Sequence, residues 1–162
     1  MIGMGLLMEL ALYVFSKQDT KQLTTLLMSA IQSFSPETRM TCKDNYYTLM
    51  NANFSCIVQD EDELVSFTRE ELGLNINYCI PIIIFSHSPE EALRVIFLTV
   101  NKLTAQLDND VALTDSASGV IFIRSNGQLI MNSHCRENPD IYGWPFDVLE
   151  GNFIEKDMAG LL

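Results

Sequence analysis

His87 and His134, with Cys42, Cys56, Cys79 and Cys135, are the side chains of this 162-residue chain best suited to nucleophilic or metal chemistry. His134 and Cys135 are adjacent, and a cysteine is activated when an imidazole can take its proton. Neighbours on a strand point to opposite faces, so these two meet one substrate only if the strand ends before them. His87 stands just before Ser88-Pro89-Glu90-Glu91, a helix start, where a histidine more often caps or is exposed than catalyses. The cysteines lack the paired short spacing of a zinc site and are too sparse for a disulfide scaffold. Cys56 and Cys79 lie in apolar runs and read as small buried hydrophobes, so all four thiols are expected to be free. Gly3 and Gly5 precede no helix and make no phosphate loop. These residues specify no catalytic site, metal or cofactor.

Asp60, Glu61, Asp62 and Glu63, followed by Glu70 and Glu71, place six acids within twelve residues, offset only by Arg69. A calcium loop needs alternating ligands and a central glycine, which this stretch lacks. Two readings remain: a solvated loop, or an acidic surface offered to a basic partner. The whole chain carries 10 Lys and Arg against 21 Asp and Glu, a formal charge of -11. With that balance nothing drives phosphate neutralisation or a polybasic membrane contact, so nucleic acid and membrane are excluded as expected partners. Acidic proteins of this kind associate quickly with basic targets through long-range steering. The tail adds Glu137, Asp140, Asp147, Glu150, Glu155 and Asp157 against Arg136 and Lys156. Interleaved Tyr142, Trp144 and Phe146 are residue types that anchor interfaces, although burial explains them equally well. The candidate partner-binding residues are therefore the six acids of 60–71 with Tyr142, Trp144 and Phe146.

The elements that would position these groups follow from periodicity. Glu9 to Phe15, ELALYVF, reads as a strand. Asp19 or Thr20 caps a helix whose Leu23, Leu26, Leu27, Ala30, Ile31 and Phe34 share one face, ending at Ser35-Pro36. Met40 to Asp62 predicts two or three short antiparallel strands, and Leu74 to Ser86 a strand with Pro81 at a bulge or an edge. Ser88-Pro89 opens a second helix with Leu93, Ile96, Phe97, Val100, Leu103 and Leu107 as its stripe. Asn126-Gly127 makes 119–133 a hairpin, since both turn residues need positive φ. The fold class that results is α+β: a two-layer domain with a largely antiparallel sheet and two amphipathic helices on one face. Residues 1–162 form one domain, with 1–7 an optional extension before a second start at Met8 and 134–162 a wrapped tail. The tail, or another protein, would cover the second sheet face. The opening fifteen residues lack a leading Lys or Arg, contain Glu9, and fall short of the roughly 20 a membrane span needs. A cytoplasmic protein, monomeric or weakly dimeric, is expected.

Three places in this arrangement resemble the Sit-type immunity proteins of bacterial polymorphic toxin systems. MELALYVF runs into an amphipathic helix, SPEEALRVIFLTVNKLTAQLD follows a β run, and ALTDSASGVIFIRSNGQLIMN looks like an acidic turn and terminal hairpin. The likeness spans about 9 to 133 and leaves 37–73 unmatched. It implies a non-enzymatic inhibitor that binds a cognate toxin, with no catalytic residues to carry over; being architectural, it is an analogy of role. A small cytosolic enzyme using His87 or His134, or an acidic effector chaperone, are the competing readings.

Overall fold

The computed structural model describes residues 8–44, 46–59, 63–85, 89–107, 110–116, 119–137 and 144–158. It is an α+β fold built on a nine-stranded sheet in the order β2-β3-β4-β5-β1-β6-β7-β8-β9, antiparallel except for the last pair. The strands are β1 (Met8–Val14), β2 (Arg39–Lys43), β3 (Tyr46–Met50), β4 (Phe54–Val58), β5 (Tyr78–Ile84), β6 (Val111–Asp115), β7 (Gly119–Ser125), β8 (Gln128–Asn132) and β9 (Phe153–Lys156). The helices are α1 (Thr20–Gln32), α2 (Glu63–Leu72), α3 (Pro89–Leu107) and the short α4 (Ser133–Glu137).

The first strand lies at the centre because it is apolar on both faces. Leu10, Leu12 and Val14 point to one side and Tyr13 to the other, so β1 can be flanked by β5 and β6 and covered on both faces. On the first face α1 and α3 lie side by side. Asp19 caps α1 through the Gln22 N–H at 2.8 Å while Gln22 Oε1 accepts the Asp19 N–H, a reciprocal box. Leu23, Leu27, Ala30 and Ile31 are buried as expected, and Phe34 lies past the helix end, with Lys102 Nζ 5.9 Å from its ring centre. From α3, Leu93, Ile96, Phe97, Val100 and Leu103 all enter this core.

Strand β5 shows how a proline fits here. Phe85 N–H donates to Asn53 O, so by alternation residues 83 and 81 turn their backbones towards β4. The β4 pairing stops at Cys56↔Ile82, and Pro81 occupies the next rung, where no donor is required. Asn126 (φ 53°) and Gly127 (φ 75°) form the expected two-residue turn between β7 and β8. A bulge opposite Leu113/Thr114 places both Ile121 and Phe122 in the first core.

Two elements go beyond the sequence reading. Helix α2 packs on the second face, where Val65 joins Tyr13, Leu74, Ile76, Cys79, Ala112, Val120, Ile123 and Met158. Both Nε and Nη2 of Arg69 donate to Ile76 O, at 2.9 and 2.7 Å, and Gly73 (φ 65°) ends the helix in the left-handed conformation. The tail does more than wrap, since Phe153–Lys156 adds β9 in parallel to β8. Among the described residues no helix is long and apolar enough to cross a membrane.

Candidate partner-binding surface

The residues with chemical potential are held apart. Strand β8 ends at Asn132, so the condition for a His134–Cys135 pair is met in sequence, but α4 then turns the two apart: His134 is exposed and Cys135 is buried. Burial, with a contribution from Asp115, pushes the Cys135 thiol up to about 11, and its Sγ lies 3.7 Å from Val120 O. Burial alone pushes Cys56 up to about 12. Both thiols are protonated at neutral pH and so are poor nucleophiles. Asp115 is itself buried, with Oδ2 unpartnered, and its charge disfavours a Cys135 thiolate further. Cys79 is buried and Cys42 is exposed on β2. His87 lies outside the described residues. Among the described residues no three of His, Cys, Asp and Glu stand together as a metal site would require.

A polar cavity of about 880 Å³ lies between the C-terminal half of α3, the β7–β8 turn and the tail. Its walls satisfy one another. Asp110 Oδ2 accepts the Asn75 N–H and Oδ1 the Ser125 hydroxyl, both at 2.8 Å. Asn101 Oδ1 accepts the Glu150 N–H at 3.0 Å, and Arg124 Nη2 donates to Glu150 O at 2.7 Å. Gly151 (φ 109°) leaves room for that guanidinium, because a Cβ there would stand 3.3 Å from Arg124 Nη1. Burial lowers the Arg124 pKa and nearby Glu150 partly offsets this. These groups hold the tail on α3 and β7, which is an architectural role.

The candidate surface is α2 with the cleft beside it. Val65 and Thr68 face the sheet and are buried, whereas Ser66, Phe67, Glu70 and Glu71 are exposed. Spacings of four and three put positions 67, 70 and 71 on one solvent-facing stripe, in which Phe67 is 55% exposed. The stretch read as a possible acidic surface is thus a helix from Glu63 onward. Asp60, Glu61 and Asp62 lie outside the described residues, as does the Glu63 side chain. Past the end of α2 opens a cleft of about 560 Å³ with Leu74, Ile123, Ile130 and Met158 in its floor and Glu71 and Lys156 at its rim. Sequence reasoning did not find Phe67 or this floor. The spacing of Val65, Thr68 and Leu72 before Gly73 was the signal that could have revealed the helix.

The aromatic candidates lie elsewhere. Trp144 stacks on Phe97 with centroids 6.3 Å apart, and Phe146 meets the same ring edge-on at 5.8 Å. Phe97 in turn packs edge-on against Phe122 at 5.3 Å. Trp144 and Phe146 are half-buried on the first face, so the structure does not join them to Glu70 and Glu71 in one surface. Tyr142 lies outside the described residues. Comparisons with protein-family models, with curated proteins and with solved structures find no match.

Proposed function

We propose that this chain is a cytoplasmic immunity protein that binds a cognate bacterial toxin and neutralises it by occluding its active site or substrate groove, with no catalysis of its own. The observation that carries this reading is the exposed stripe of α2 on which Phe67 stands beside Glu70 and Glu71. An exposed aromatic ring beside carboxylates is the composition expected of a contact for a basic protein surface, the ring supplying buried area and the acids steering association. The adjoining cleft can receive an apolar side chain of the partner. Protonated buried thiols, and a His134 that faces away from Cys135, give an enzymatic reading less support.

The test is coexpression with a basic toxin domain encoded beside this chain. The parent should rescue growth, and Phe67→Ala with Glu70→Lys and Glu71→Lys should lose rescue while melting as the parent does. Binding should slow most at low salt and recover towards parental rates relative to added salt, because screening acts over about 8 Å at physiological ionic strength. Full rescue by this variant would place the contact surface elsewhere; failure of the parent to rescue would sink the immunity reading.

A further inference from the structure

We propose that β2 accepts an extended, acidic segment of another protein by strand addition. This inference concerns the far edge of the sheet and does not depend on the α2 reading. Asn51 N–H donates to Phe54 O, which continues the β3–β4 register, so residues 47, 49 and 51 turn their backbones to β4 and residues 46, 48 and 50 turn theirs to β2. Their partners Lys43, Thr41 and Arg39 therefore bond inward, and Met40 and Cys42 direct their N–H and C=O groups out of the sheet. No described strand lies beyond them. All five residues of β2 are exposed. Large apolar side chains also cluster here: Met40, Tyr46 and Met50 are each about half exposed. An unpaired edge next to exposed apolar side chains is the arrangement used for strand addition.

The side chains decide what kind of strand fits. Arg39, Thr41 and Lys43 share the second face, and Met40 and Cys42 share the first. In a chain of net charge -11, this short edge carries two cations and no acid. A second copy of β2 fits poorly. The antiparallel register that uses both outward-facing residues sets Met40 against Cys42 of the copy, and then Arg39 lies opposite Lys43 twice, a like-charge pairing. Sliding one step either way leaves a single outward pair, because Thr38 already donates its N–H to Ser35 O and Asp44 sits in the turn at φ 52°. The complementary strand instead has acids opposite Arg39 and Lys43 and apolar residues opposite Met40 and Cys42. Its pattern is acid, apolar, any residue, apolar, acid.

The probe is a capped peptide containing Glu-Ile-Thr-Val-Glu flanked by serines, with Lys-Ile-Thr-Val-Lys as its charge-swapped control, titrated into the full chain by NMR. The acidic peptide should slow amide exchange at Met40 and Cys42 by about tenfold or more at saturation, and the swapped peptide should bind about tenfold more weakly. That preference would run against the net charge of the protein, which favours the cationic peptide, and would therefore report local pairing. Arg39→Glu with Lys43→Glu should invert it, and both substitutions are exposed enough to leave folding intact. Equal binding of the two peptides, protection that misses Met40 and Cys42, or a dimer that protects those amides without peptide would each overturn the proposal.

Discussion

Replacing Asn132 should loosen the tail more than any surface change, and the structure gives the size of the effect. Asn132 is fully buried at the end of β8; its Oδ1 accepts the N–H groups of His134 at 3.0 Å and Met158 at 3.1 Å, and its Nδ2 donates to Val120 O at 2.7 Å. One side chain thereby joins β7, the start of α4 and the second residue past β9. Asn132→Leu keeps the branched outline and number of heavy atoms and removes all three bonds. Each buried polar group deprived of its partner costs about 1 to 3 kcal/mol, and water can reach the α4 end in part, so about 3 kcal/mol is expected overall. For a chain of this length that lowers the melting temperature by about 6 to 12 °C. Urea unfolding measures the loss, and amide exchange at Met158 should quicken far more than in β1. Asn132→Asp adds a sign check. Full burial and the facing Val120 O disfavour a carboxylate, against the two N–H donors on Oδ1 that favour it, and with burial the larger effect the folded pKa of that Asp should rise above its unfolded value of about 3.9. The variant should then be most stable below that value and lose stability as the pH rises through the folded pKa. A loss under about 1 kcal/mol in Asn132→Leu, or uniform exchange changes that spare the tail, would refute the reasoning.

Other outcomes follow from the thiols and the α1 cap. Because burial raises Cys56 to about 12 and Cys135 to about 11 from an ordinary 9.0, the unfolded chain ionises first. Stability should be fully present below about pH 9 and fall as pH rises towards the folded values, and Cys135→Ala should flatten that alkaline limb in urea titrations. Brief iodoacetamide treatment should label Cys42 alone in the native protein and all four cysteines in urea without reductant; fewer than four in urea would contradict the free-thiol expectation. Asp19→Ala removes the side-chain half of the α1 box, the acceptor of the Gln22 N–H, and should cost about 1 kcal/mol in urea unfolding; an unchanged midpoint would mean the cap is dispensable.

The elements legible in the sequence are those whose signals are local. Asp19 and Gln22, Pro89 with Glu90 and Glu91, and Asn126-Gly127 each fix a boundary within a few residues, so α1, α3 and the β7–β8 hairpin fall where expected. Helix α2 was hidden because, among its described side chains, only Val65 and Thr68 are buried, and the carboxylates on either side of them, at 60–63 and 70–71, read as a solvated loop or an acidic surface. Strand β9 is four exposed residues whose pairing with β8 is set by contacts near Asn132 and Met158, well apart in sequence. Trp144 and Phe146 read in the sequence equally as interface anchors or as buried rings; both pack on Phe97, and nothing local says that this is the ring they meet.

The same asymmetry bears on how the proposed surface could work. The first face is closed by α1, α3 and the aromatic stack, so its core needs no partner. On the second face α2 is held by Val65, Thr68 and the Arg69 bonds to Ile76 O, a small attachment for a helix that also presents adjacent carboxylates to water. Glu70 and Glu71 are neighbours in sequence, and two exposed carboxylates so near each other repel weakly through solvent. A basic partner would replace that repulsion with attraction and add apolar contact at Phe67 and the Leu74–Ile123–Met158 floor. On the proposed reading, α2 is therefore the element whose stability should respond most to partner binding: its amides should exchange fastest among the described helices of the free chain and slow most in the complex.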